Sequence, residues 1–336
     1  MTNDKKKNAT IVDIAKIANV TNITVSRAFT KPEMVKEETR KRIYEIAKQL
    51  NYSPNAFARN LKVSQSNIIG VVTDSTYNQV YADVIKLLCL EADKRRFTVM
   101  MFETNGSIEA EERAIDVLLS YKASGIVLSV TTDNEAYRPR YIEKVKATNT
   151  PLVLLDRDLK QFDLPGVFLN NLELGIKAGR YLSTKEYKSI LIFGGPEDSV
   201  ITQDRIAGIK RLINPEKTVI DICYTQYGYD KARPLILKKL EKIMHTTLPE
   251  CIVGINGPVS LAVIGACRTL GIHKGIQFFS FDEVPFSVDF GIKIPCIYNN
   301  PKEWGQKISS LLFSLIENQN SLLYFDRSYI NGTLMI

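Results

Sequence analysis

From Ile68 onward the chain repeats one pattern about every 28 residues: a short apolar run, then an amphipathic stretch. The runs are "IIGVV", "FTVMMF", "GIVLSV" and "PLVLLD" and, after a gap near Leu159 to Asn171, "SILIFGG", "TVIDICY", "ECIVGI" and "IQFFSF". Parallel strands need crossovers of about a dozen residues or more, usually helices, so this spacing is that of βα units and excludes a sheet built from hairpins. Two series of four predict an α/β core of two doubly wound parallel-sheet subdomains, the first at about 68–165 and the second at about 166–298. "PCIYNN", a helix around Lys302 to Ile316, and "RSYING" form a last piece that crosses back to the first subdomain, adding 299–328 to it. Such folds bind small molecules at the carboxyl ends of their strands, here in the cleft between the halves.

Upstream of residue 68 the apolar period becomes helical. Thr10 before Ile11-Val12-Asp13 has the form of a capping box, in which hydroxyl and carboxylate satisfy N–H groups that a helix start leaves free. Ile11, Ile14, Ala15 and Ala18 then share one face. Asn19 tolerates the left-handed conformation that ends a helix sharply, and Thr21 is a good N-cap for a second helix with Val25, Ala28 and Phe29 inward. A third helix at about Lys36 to Gln49 closes a three-helix, helix-turn-helix bundle over 1–53. The second helix is too short to stand alone, and it turns Asn22, Ile23, Thr24, Ser26 and Arg27 outward, where a partner can meet them. Pro54 can open a further short helix with Phe57, Ala58 and Leu61 on one face, so 54–67 reads as a helix and linker joining bundle to core, and 68–336 as the core itself.

Composition enters where charge is located. The first 67 residues hold 13 Lys and Arg against six Asp and Glu, and the remainder holds 31 of each, so the whole excess of +7 sits in the bundle and linker. That is the footprint of contact with nucleic acid or another anionic surface. The five cysteines, Cys89, Cys223, Cys251, Cys267 and Cys296, show no C-x-x-C spacing, which suits a reducing cytoplasm and speaks against zinc. No apolar run reaches the roughly 18 residues of a membrane span, and "ATIVDIAKIANV" after the lysine cluster is interrupted by Asp13 and Lys16. The expected location is cytoplasmic, without a membrane partner. "GGPEDS" lacks the lysine and hydroxyl of a phosphate loop, no G-x-G-x-x-G, G-x-S-x-G or metal spacing occurs, and His245 and His273 stand apart. No catalytic residue, metal or cofactor is expected, and the chain reads as a non-enzyme.

"ATIVDIAKIANVTNITVSRAFT", "VKEETRKRIYEIAKQLNYSPNAFARNLK" and "SNIIGVV", continued by "PLVLLDR", "LIFGGPEDS", "DRIAGIK" and "FFSFDEVP", resemble the LacI/GalR family of bacterial transcriptional regulators. "VLLDR" with "GGPEDSV" leans towards the fructose and sucrose regulators of that family. The resemblance implies a DNA-binding headpiece, a hinge helix and a periplasmic-binding-protein-like core. It also implies a homodimeric repressor on a pseudo-palindromic double-stranded operator, switched by a small sugar or sugar-phosphate effector.

The chemistry of the exposed residues fits. An arginine fork at Arg27 matches guanine O6 and N7, Asn22 and Ile23 suit adenine and thymine-methyl edges, and Thr21, Thr24 and Ser26 would hold phosphates. By resemblance, Leu61 is a minor-groove wedge at a central base step, with Asn55, Ala58 and Arg59 along the backbone. In the core, Asp156, Arg205, Asn256 and Asp282 follow or flank strand runs or open helices, so they can converge on the cleft. Each matches a position that resembles an effector-contacting residue; capping and ion pairing are the competing roles. Ser75 and Tyr81 are further candidates. Where the family commonly has Asn-Asp, this chain has Asn256-Gly257-Pro258, which removes a carboxylate and makes an acidic or phosphorylated effector more fitting. The competing functions are a sugar-binding protein with an accessory basic headpiece and a sugar-acting enzyme carrying one. "YINGTLMI" has no leucine heptad extension, so a dimer through the core is expected.

Overall fold

The structure, a computed structural model, describes residues 9–53, 66–285, 287–289, 291–318 and 326–336. It divides into two compact units, residues 1–64 and 65–336. Asn55, Ala58, Arg59 and Leu61 lie outside the described residues.

The smaller unit holds α1 (Ile11–Ala18), α2 (Asn22–Thr30) and α3 (Glu37–Gln49), with a 3-10 turn at Pro32–Met34. Each start and stop has the chemistry its residues dictate. Asp13 Oδ2 accepts from the Thr10 N–H at 2.8 Å while Thr10 Oγ1 accepts from the Asp13 N–H, and Asn19 closes α1 at φ 50°. Thr21 Oγ1 accepts from the Thr24 N–H at 3.2 Å, capping α2. Behind α2, Val25 and Ala28 pack with Ile14, Ala15, Ala18, Ile43, Ile46 and Ala47. The Tyr44 hydroxyl donates to the Ala28 carbonyl at 2.6 Å, tying the end of α2 to α3.

The larger unit contains two six-stranded sheets. The first comprises β1 (Ile68–Thr73), β2 (Thr98–Glu103), β3 (Gly125–Leu128), β4 (Leu152–Asp156), β5 (Gly166–Leu169) and β11 (Arg327–Ile330), all parallel, in the order β11-β5-β4-β3-β1-β2. The second comprises β6 (Ser189–Gly194), β7 (Val219–Tyr224), β8 (Cys251–Gly254), β9 (Gln277–Ser280), β10 (Cys296–Tyr298) and β12 (Thr333–Met335), in the order β12-β10-β9-β8-β6-β7, with β12 antiparallel. Central strands β3 and β8 are buried throughout, whereas edge strands β2 and β7 alternate between exposed and half-buried residues, as covered and open strands should. Helices α4 (Gln79–Lys94), α5 (Ile108–Ser120) and α6 (Tyr141–Ala147) belong to the first half. Helices α7 (Asn171–Ser183), α8 (Val200–Leu212), α9 (Tyr229–Ile243) and α10 (Gly257–Thr269) belong to the second. Helix α11 (Pro301–Glu317) returns to the first sheet, where Trp304 Nε1 donates to the Val167 carbonyl at 3.1 Å.

Two boundaries differ from those the spacing predicts. Residues 166–169, where the second half was expected to begin, form β5 of the first sheet. "CIY" of "PCIYNN", expected to cross back, stays in the second sheet as β10, and after β11 the chain returns once more for β12. The chain thus passes between halves three times, at 169–171, 298–301 and 330–333. The strands missed by the repeat are three or four residues long, too short to carry a periodic signal.

Helices α7 and α8 cross on glycines. A Cβ on Gly175 would lie 2.4 Å from the Arg205 carbonyl, and one on Gly208 would lie 2.5 Å from that of Leu172. Among the described residues, no helix is long and apolar enough to cross a membrane.

Candidate functional site

In the smaller unit the outer face of α2 is open. Asn22, Ile23 and Arg27 are exposed, Ile23 at 63%, and the Arg27 guanidinium has no hydrogen bond or ion pair among the described residues. The helical period explains this: with Thr21 fixing the first turn and Val25, Ala28 and half-buried Phe29 on the inner face, Asn22, Ile23 and Arg27 fall on the outer one. Thr21 and Thr24 hydroxyls lie 3.0 Å apart, so Thr21 serves the helix start, and Ser26 is half-buried beside them.

In the larger unit the carboxyl ends of both sheets meet around a cleft. Its outer chamber measures about 620 Å³, within the usual range of small-molecule sites, and its inner chamber only about 40 Å³. Both chambers share Asp74, Ser75, Tyr77, Arg157, Tyr227 and Gly228. Asp156, Arg205, Asn256, Asp282, Ser75 and Tyr81 all line the inner chamber, so the six core candidates are brought together.

Their partners divide them. The Tyr81 hydroxyl donates to Asp156 Oδ2 at 2.5 Å, with Ser129 Oγ 3.3 Å from the same hydroxyl. Burial raises the Asp156 carboxyl above its ordinary range although Arg205 pulls the other way, and Asp156 Oδ1 has no partner among the described residues. Arg205, 4% exposed, donates Nε to Asn171 Oδ1 at 2.8 Å and Nη1 to the Ile255 carbonyl at 2.5 Å. Its guanidinium lies 5.0 Å from the centre of the Phe281 ring, and Nη2 makes no hydrogen bond among the described residues. Asp282 accepts from Gly257 N–H at 3.2 Å and from Asn299 Nδ2 at 3.0 Å; burial pushes its carboxyl up to about 6 against the pull of Arg205. Asn256 is largely engaged: its oxygen caps α10 at the Val259 N–H, 2.8 Å, and its amide donates to the Tyr227 carbonyl at 3.1 Å. Ser75 Oγ accepts from the Tyr77 N–H at 3.1 Å, bracing its own loop.

Three residues that the sequence does not single out hold the centre. Arg157, directly after Asp156, donates to the Val130 and Thr131 carbonyls at 2.9 and 2.7 Å, pairs with Asp74 at 3.0 Å, and lies 4.8 Å from the ring centre of Tyr227 in the other half. Asp74 and Arg157 both follow strand ends, and that position was their available signal; Tyr227, in the loop after β7, carries none. The two chambers are lined by six carboxylates, Asp74, Asp133, Asp156, Asp198, Asp230 and Asp282, against the cations Arg157, Arg205 and Lys231. The one carboxylate that Asn256-Gly257 lacks is thus offset by acids that the loops supply. Among the described residues, no cluster of His, Cys, Asp or Glu is arranged to hold a metal ion.

The fold and these two faces define a class: a helix-turn-helix unit with an open second helix, joined in one chain to a two-lobed ligand-binding core. Residues 10–55 match the model of bacterial regulatory proteins, lacI family, and residues 69–320 match that of the periplasmic binding protein domain. Among relatives, the HTH-type transcriptional repressor PurR of Aliivibrio fischeri is 25% identical over 93% of both chains. Among solved structures, the lac repressor dimer bound to operator and the anti-inducer ONPF superposes with a TM-score of 0.74 over 98% of both chains at 21% identity. A LacI-family regulator from Silicibacter pomeroyi gives a TM-score of 0.79 over 97% of this chain and 98% of that one, at 18% identity. Over residues 69–320 the chain belongs to the periplasmic binding protein domain family, its residues 10–55 carry the lacI-family helix-turn-helix region, and it is a DNA-binding transcriptional regulator with a ligand-binding core.

Proposed function

We propose that the protein is a cytoplasmic repressor that binds a pseudo-palindromic operator as a homodimer and is switched by a small polyhydroxylated effector, a sugar or sugar phosphate, in the cleft. The observation that carries the reading is the bare face of α2, on which Asn22, Ile23 and Arg27 stand exposed on a helix whose other side is wholly committed to packing. Arg27 then reads guanine, Asn22 and Ile23 read adenine and thymine edges, and Thr21, Thr24 and Ser26 fix register on phosphates. Leu61 wedges the minor groove at the dyad, flanked by Asn55, Ala58 and Arg59.

Dimerisation through the core is supported by the sheet edges at β2 and β7. β2 carries exposed Met101 and β7 exposed Val219, the latter at 70%, with Leu90 on α4 and Leu235 on α9 also exposed. On the effector side, Asp156, Asp282 and Nη2 of Arg205 offer acceptors and a donor for hydroxyls. The surplus of carboxylates favours a neutral polyol over a phosphorylated one, and the likeness of "VLLDR" and "GGPEDSV" to fructose and sucrose regulators says where to look first. Selection from random duplex DNA with the purified chain, at about 0.1 M salt where non-specific phosphate binding is already weakened, tests the reading. Enrichment of a pseudo-palindrome with a pyrimidine–purine centre is expected, and its release by neutral sugars or sugar phosphates identifies the effector. A pool without an enriched site, with and without a metabolite mixture, would overturn it.

A further inference from the structure

The start of α8 lacks the cap that its own sequence offers. Ser199 occupies the N-cap position, yet its hydroxyl makes no bond to the helix; it lies 2.6 Å from the Tyr227 hydroxyl instead. The Ile201 N–H, which a capping side chain would normally satisfy, donates at 3.0 Å to Asp133 Oδ2, a residue of the loop after β3 in the other half. Asp133 is only 6% exposed, and its negative charge stands at the positive end of the helix dipole.

We propose that Asp133 caps α8 across the cleft and thereby sets the balance between closed and open cleft, which makes it a positioning residue for Arg205 on the same helix. The loop that carries it is anchored from both sides. Buried Glu111 accepts from the Tyr137 and Tyr141 hydroxyls at 2.9 and 2.7 Å and from the Thr131 N–H, while Arg157 holds the Thr131 carbonyl. Asp133 therefore stands on a fixed post and cannot follow α8 when the halves part. Opening leaves the helix start uncapped until water or Ser199 replaces the carboxylate. Beside it, Asn134 Nδ2 donates to Asp198 Oδ2 at 2.8 Å, a second bond across the same mouth. The consequence for switching rests on the effector reading above; the closure itself does not.

The test measures mouth width in the full chain by double electron–electron resonance. Spin labels are placed at Glu135→Cys and Glu197→Cys, both exposed, with half-buried Cys89 and Cys223 replaced by serine. Loss of a cap predicts that Asp133→Ala raises the ratio of long to short distances about fivefold. Asp133→Asn, which keeps an oxygen acceptor, should stay within about twofold of the parent. Asp133→Leu, of similar size without an acceptor, gives the same reading if the alanine variant does not fold. An unchanged distribution in the acceptorless variants, or an asparagine variant as open as they are, would overturn the proposal. No effector is needed, so failure here is distinct from failure to find one.

Discussion

Arg27 and Asp282 show how much one side chain can decide in each unit. Because Arg27 is exposed and unengaged, Arg27→Ala should leave folding untouched and weaken binding to the selected operator by about 1–3 kcal/mol, with specificity relaxed at the bases it reads; fluorescence anisotropy against matched and mismatched duplexes checks this. For Asp282 the sign follows from a carboxyl raised from 3.8 to about 6 by burial. The fold prefers the protonated form, so its contribution is full below the unfolded value and is lost as pH rises through about 6. Urea titrations across pH 4 to 7 should therefore show Asp282→Asn gaining on the wild type with rising pH, by at most about 2–3 kcal/mol. Asp156, Arg205 and Asp282 were singled out by resemblance to the family, Asp156 and Asp282 also because they end or follow strand runs, whereas Arg205 lies inside α8, where spacing alone does not mark it. Asp74, Arg157 and Tyr227 were not singled out, because their importance lies in one another: a buried guanidinium needs a carboxylate, carbonyls and a ring that come from distant segments. Asn256 was legible in kind but divided in role, since the capping that competes with ligand contact takes up its oxygen.

At the scale of elements, legibility follows length. Helices with caps and apolar faces, and the strands that recur with the 28-residue period, stand out, whereas the four-residue β5 and β11 fall outside that period; β10 and β12, with three residues each, exist only because a neighbour supplies the ladder. The short α2 is the instructive case, since its stability is borrowed from Val25 and Ala28 in the bundle core and from the Tyr44 hydroxyl. The α7–α8 crossing makes a sharper demand, because backbone meets backbone at Gly175 and Gly208. Gly208→Ala cannot be absorbed by a side-chain rotation and should cost about 3 kcal/mol, seen as a lower urea midpoint with an unchanged slope. The same change displaces the segment that carries Arg205, so effector affinity should fall with it.

For the whole molecule, charge and surface assign separate tasks to the two units. The excess of +7 lies in the first 67 residues, so operator affinity should fall steeply with salt while effector affinity scarcely responds. If the edge strands β2 and β7 form the self-contact, Met101→Glu with Val219→Glu should convert a dimer to a 37.9 kDa monomer in sedimentation velocity and cut operator affinity at least tenfold, with the cleft intact. The three passages between halves also impose an order on biosynthesis. The first sheet opens at Ile68 but receives β11 only from residues 327–330, after five strands of the second sheet have been made. On a ribosome the nascent headpiece can therefore mature early and alone, while both lobes, each with five of its six strands made, wait for one late stretch of chain. A message cut before codon 327 would leave a DNA-binding fragment tethered to an unfinished core.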